Sequence, residues 1–148
     1  MKFVQFDIEA YYPSITESAL LNALNFAKQY IDITDIEMDT ILEARRSYLV
    51  SGGIKWCKKD NPNFDVTMGA YDGAEVCELL GLYILSKISE IEGFQGGLYR
   101  DDGLGVSNLP KRVIEHNMKR KIIDIFKECD LKVIVESCAT TVDFLNVT

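Results

Sequence analysis

Residues 2–8, KFVQFDI, form a short run of β-branched and aromatic side chains, which predicts a strand that Pro13 stops. Ser14 with Glu17 three residues on predicts an N-cap and a helix through about Tyr30. Thr34 and Glu37 repeat that pattern and open a second helix through about Leu49. The SGG at 51–53 breaks it, and a hairpin or irregular loop is expected to run to about Met68. Asp72 with Glu75 opens a third helix, whose apolar stripe is Val76 or Cys77, Leu80, Ile84 and Ile88.

The stretch GGLYRDDGLGV, 96–106, reads as two short strands joined by a tight turn at Asp101–Gly103, because Asp-Gly is a strong turn signal. Pro110 suits the first turn of another helix, with Ile114, Met118, Ile122, Ile125 and Cys129 as its apolar face. LKVIVES and TVDFLNV close the chain as two expected strands. This order of elements predicts an α+β fold, an antiparallel sheet with helices packed on one face.

Composition sets the class. A chain of 148 residues, 47% apolar and 26% charged, is one ordinary domain with enough material for a core. No apolar run approaches the roughly 18–20 residues of a membrane span, and the N-terminus lacks signal-peptide features, so an intracellular location is expected. Four cysteines without a C-x-x-C pair, and a single histidine, argue against structural zinc and for reduced packing thiols. The net charge of −7 argues mildly against a protein that grips nucleic acid over its whole surface. Local charge is uneven, however. Between residues 45 and 59, Arg45, Arg46, Lys55, Lys58 and Lys59 surround Trp56 with no acid among them, a candidate strand-binding surface or a solvated loop. Lys119, Arg120, Lys121 and His116 read as the wet side of an amphipathic helix.

The chemistry lies in three carboxylates. Asp7 ends the first strand, with Tyr11 and Tyr12 just behind it, and Asp101 and Asp102 sit at the turn of the later hairpin. Taken singly, each is a solvated strand end or a wet turn. Taken together, on strands able to lie side by side, they can converge. Converging carboxylates repel unless a divalent cation neutralises them, and oxygen ligands select magnesium or manganese over zinc. Two such ions about 3.5–4 Å apart are the apparatus of nucleotidyl transfer.

FDIEAYYPSI, VTMGAYDGAEVCELLGLYIL, LYRDDGLGV and DLKVIVES…VDFLNVT, in that order, resemble the palm of reverse transcriptases. The feel is of retroelement-type sequences with a Tyr-Arg-Asp-Asp hairpin, and the likeness covers essentially the whole chain. It implies a single palm domain over 1–148, with part of the fingers at about 35–68. It implies two magnesium or manganese ions held by Asp7, the Ile8 carbonyl, Asp101 and Asp102. It places Tyr12 as a bulky gate against the 2′-hydroxyl, selecting deoxynucleotides, with Tyr11, Met68 and Gly69 beside the nucleotide. Tyr99 would pack beneath the hairpin and support its aspartates. Arg100 would meet a primer phosphate or balance Asp101 and Asp102. Primer–template and deoxynucleoside triphosphates are the implied partners.

The chain departs from the family in three ways. Met68 stands where a glutamine is usual, and no lysine in ESCATTVDF matches the family's general acid; Lys132 is a poor substitute. Upstream fingers strands and a thumb fall outside the matched segment, so a partner chain or further segments are expected to supply them. The alternative is a degenerate palm kept as a binding module. A palm-type cyclase is disfavoured, since its Gly-Gly-Asp/Glu-Glu-Phe turn is missing.

Overall fold

Val4, Phe6 and Ile8 alternate with Gln5 and Asp7 along β1 (Lys2–Ile8), so the strand buries one face and leaves the other open. The structure, a computed structural model, describes residues 1–46, 48–59 and 64–147. Ser47, Thr148 and residues 60–63 of the expected 51–68 loop lie outside the described residues. β1 is central in a four-stranded antiparallel sheet, ordered β4 (Gln95–Tyr99), β5 (Asp102–Ser107), β1, β6 (Val133–Ala139).

The buried face meets α4 (Gly73–Ile88) and a last helix made of α5 (Lys111–Val113), a π-helical stretch (Ile114–Met118) and α6 (Lys119–Glu128), and α2 (Glu17–Ala27) packs against α4. The stripe of Val76, Cys77, Leu80, Ile84 and Ile88 on α4 is buried, as its spacing predicts. Ile114, Met118, Ile122 and Cys129 bury the face expected of the last helix, and Phe126 joins them. Phe6 packs with Phe126 at 5.7 Å and Phe94 at 6.4 Å between ring centroids. Each such fully buried side chain stabilises the fold by about 1.5–3 kcal/mol relative to exposure. The expected α+β sandwich is present. Among the described residues, no helix is long and apolar enough to cross a membrane.

The two strands of 96–106 form, but their turn is not where Asp-Gly suggests. Tyr99 is the register partner of Asp102, which leaves Arg100–Asp101 as the loop, with Arg100 held at φ +55°. Gly103 lies inside β5, facing the core. A Cβ there would sit 1.9 Å from the Phe6 ring, and one at Gly105 would sit 2.1 Å from the Phe94 ring. These glycines seat two aromatic rings flush against the sheet; they do not make the turn.

Other boundaries shift for local reasons. Thr16, not Ser14, caps α2 by accepting the Ala19 N–H at 3.2 Å, because residues 11–14 first close a separate turn, α1 (Tyr11–Ser14). The capping box of Thr34 and Glu37 is present and opens α3 (Asp35–Glu43), which ends before Leu49. At 51–56 a hairpin forms, β2 (Leu49–Ser51) and β3 (Ile54–Trp56), turning on Gly52 and Gly53 at φ +59° and +75°, the left-handed pair such a turn requires. The expected last strand is instead a tight turn. Leu145 and Asn146 take φ +48° and +63°, and Phe144 and Val147 exchange backbone hydrogen bonds across them.

Candidate functional site

Asp7 and Asp102 face each other across the β1–β5 ladder, on the open side of the sheet. Opposite partners in an antiparallel pair project to the same face within a few ångström, where like charges destabilise. Asp101 sits one residue earlier in the loop, and its carbonyl accepts the Ile8 N–H at 2.8 Å, so the ladder pins the loop to the end of β1. The Asp7 carboxyl is raised above its ordinary value by partial burial, then by the charges of Asp102, Asp101 and Glu9. Among the described residues, no three His, Cys, Asp or Glu side chains are already drawn together as a cation cage. Their oxygens are the donors magnesium and manganese prefer. Asp7 and Asp102 thus share one corner with Asp101 in the adjoining loop, and the charges of both weigh on Asp7.

Behind that corner the chain reverses at Ala10, which takes φ +45°, and enters α1. Tyr11 turns inward, 4% exposed, and its hydroxyl donates to the Cys77 carbonyl of α4 at 2.7 Å. Tyr12 stays half-buried, edge-on to the Tyr11 ring at 6.2 Å. Partial burial and the Cys77 thiol raise the Tyr12 phenol, while Arg100 opposes them. Tyr12 therefore keeps an open surface next to the end of β1. Tyr11 does not: with its ring buried and its hydroxyl bonded, it has no open surface for a nucleotide. Burial pushes the Cys77 thiol up to about 12, which keeps it protonated and unreactive near neutral pH.

Tyr99 is also corrected. It does not pack beneath the hairpin but lies on the open face, 54% exposed, opposite Asp102. The Arg100 guanidinium lies 5.7 Å from its ring, and no ion pair holds Arg100 among the described residues. Leu98, Tyr99 and Arg100 form one wall of a cavity of about 230 Å³, with Cys77 and Gly81 of α4 opposite. Gly69, at φ +90° with open space beside it, and the exposed Met68 lie on the loop leading into α4. Neither has a hydrogen bond or ion pair to the aspartates among the described residues.

The basic cluster separates into two groups. Arg45 is 4% exposed and pairs with Asp72 at the start of α4, and its Nε has no hydrogen-bond partner among the described residues. Arg46 pairs with Glu17 at 3.1 Å and Glu43 at 2.9 Å. Lys58 bonds Asp65 at 2.5 Å and the Pro13 carbonyl at 3.2 Å. Burial pushes the Asp65 carboxyl up, but its bonds to Lys58 and Thr67 outweigh this and hold it below its ordinary value. Arg45, Arg46 and Lys58 thus tie α3 and the β2–β3 region to α1, α2 and α4, and are not an open strand-binding surface. Lys55, Trp56 and Lys59 remain exposed, joined by Tyr48, whose ring lies 3.9 Å from the Lys55 ammonium. Asp72→Ala would strand the buried Arg45 cation, and an unfolding free energy lower by about 2 kcal/mol is expected in urea titration.

Cys77 meets Tyr11 through its backbone carbonyl, a partnership that reading the cysteines as packing residues does not reveal. The exposed apolar hairpin of Leu49, Val50, Ile54 and Trp56 was likewise hidden beneath the charge of its neighbours.

No protein-family model matches the chain, and no curated protein does. Among solved structures, apo telomerase from Candida tropicalis, truncated from its C-terminal domain, superposes on 96% of this chain with a TM-score of 0.59 at 12% identity. The chain spans 32% of that telomerase chain. This is a likeness of fold, and it matches the polymerase palm-like arrangement of antiparallel sheet and helices.

Proposed function

We propose that the chain is the palm of a reverse-transcriptase-like polymerase, extending a primer 3′-hydroxyl with deoxynucleotides. The observation that carries this reading is the Asp7–Asp102 register, with Asp101 in the adjoining loop and Tyr12 alongside. Telomerase, whose fold the chain resembles, is a reverse-transcriptase-related enzyme, which supports the same class. Residues 1–148 form one unit in this reading, with about 35–68 as its part of the fingers.

Asp7, Asp101, Asp102 and the Ile8 carbonyl would hold two magnesium or manganese ions, which when bound favour the ionised primer hydroxyl and offset charge on the leaving phosphate. The protein's own part is positional. The β1–β5 ladder sets two carboxylates side by side, and the bond from the Ile8 N–H to the Asp101 carbonyl anchors the backbone that carries the third. The Tyr12 ring would border the nucleotide sugar and exclude a 2′-hydroxyl. Gly69 lets backbone approach the nascent pair. Lys55, Trp56, Lys59 and Tyr48 would take single-stranded template by stacking and charge. Trp56→Ala is expected to weaken binding of a single-stranded RNA about tenfold in fluorescence anisotropy without lowering stability.

The test is primer extension with magnesium on RNA and DNA templates, comparing the native chain with Asp101→Asn. Extension by the native chain alone supports the reading, and equal signal from both counts against it. A second reading, a palm kept as a binding module, is favoured by Met68 in place of glutamine and by the inward engagement of Arg45, Arg46 and Lys58. Primer–template binding without extension supports it.

A further inference from the structure

Tyr11, Tyr12 and Cys77 form a bracket between α1 and α4, and its geometry gives Tyr11 a role distinct from contact with a nucleotide. α1 is a single turn with no side-chain cap, too short to hold itself in place. Its position rests on docking contacts: the Tyr11 hydroxyl on the Cys77 carbonyl at 2.7 Å, and Lys58 on the Pro13 carbonyl at 3.2 Å. Cys77 accepts Tyr11 through its carbonyl, so a residue of α4 sets where the Tyr11 ring sits, and the Tyr12 ring lies edge-on to it at 6.2 Å.

We propose that Tyr11 is a positioning residue for sugar selection: its hydroxyl bond to α4 holds α1, and with it the Tyr12 ring, in place beside the end of β1 that carries Asp7. The inference rests on the polymerase reading for what Tyr12 selects against, but the bracket itself does not. Removing the hydroxyl leaves the Tyr11 ring in its buried seat and the Cys77 carbonyl within its helix. The cost falls on the placement of α1 rather than on the core.

Two readouts on the full chain test it. In the first, 3-fluorotyrosine is incorporated and the Tyr12 fluorine resonance is assigned by its loss in Tyr12→Phe. Tyr11→Phe is expected to broaden or split that resonance as the ring gains a second placement. In the second, dATP and ATP are compared with magnesium in single-nucleotide primer extension. Tyr11→Phe is expected to reduce the preference for dATP about fivefold, roughly the weight of one net hydrogen bond, with unchanged far-UV circular dichroism. A native chain that uses neither nucleotide sinks the polymerase reading. A native chain that discriminates, beside a Tyr11→Phe variant that discriminates equally and shows an unmoved Tyr12 resonance, overturns this inference alone.

Discussion

Gly103→Ala is expected to destabilise the chain by about 3 kcal/mol or more, a large share of the 5–15 kcal/mol that a domain typically holds. The added methyl would meet Phe6 at 1.9 Å, and Phe6 is 1% exposed, enclosed by Phe94 and Phe126. The ring has nowhere to retreat, because interiors are packed to crystal density. The strand must move instead, and Asp102 moves with it. Urea titration checks the magnitude. Adding Phe6→Leu to Gly103→Ala should recover part of the loss, since the two sites share one contact. A Gly103→Ala chain as stable as native would refute the packing argument.

Asp7→Asn is expected to act in opposite directions on stability and on activity. In the metal-free chain it removes a carboxylate disfavoured by partial burial and by Asp102, Asp101 and Glu9. The melting temperature should rise by about 1–2 °C near neutral pH, the usual scale for relieving a surface repulsion in a domain of this size. The sign follows from linkage. A carboxyl raised in the folded state penalises folding when ionised, and the penalty fades as pH falls through its range. The variant's advantage should therefore vanish in acid. Magnesium should stabilise the native chain and leave Asp7→Asn unmoved, while primer extension falls by at least about 100-fold. Calorimetric melting across pH, with and without magnesium, reads the stability, and primer extension reads the activity.

What the sequence reveals and what it hides divide along physical lines. The α3 capping box, the α4 stripe and the Gly52–Gly53 hairpin depend on residues a few positions apart, so local pattern is enough to read them. Gly103 is different. Its neighbour Asp102 makes it resemble a turn, while its purpose lies in the ring of Phe6, distant in the chain. Arg45, Arg46 and Lys58 share that difficulty. As a run they look like a basic surface, yet most of their acids, Asp72, Glu17 and Asp65, come from other elements, and only folding reveals the pairs. Tyr11 and Tyr12 are adjacent and chemically alike. The left-handed Ala10 and the single turn of α1 send one ring inward and leave the other partly open.

The aspartates are the instructive case. Their spacing says only that a strand end and a hairpin each carry acids. That Asp7 and Asp102 are direct partners depends on a register fixed by the seating of Phe6 on Gly103. Packing on the buried face thereby sets the chemistry of the open one.

Manganese binding followed by electron paramagnetic resonance tests the central claim most directly. The account predicts that the native chain depletes the free-ion signal, and that Asp7→Asn and Asp101→Asn each abolish the depletion while remaining folded. Native and variant chains that bind manganese equally, or a native chain that leaves the free signal intact at millimolar metal, would contradict it.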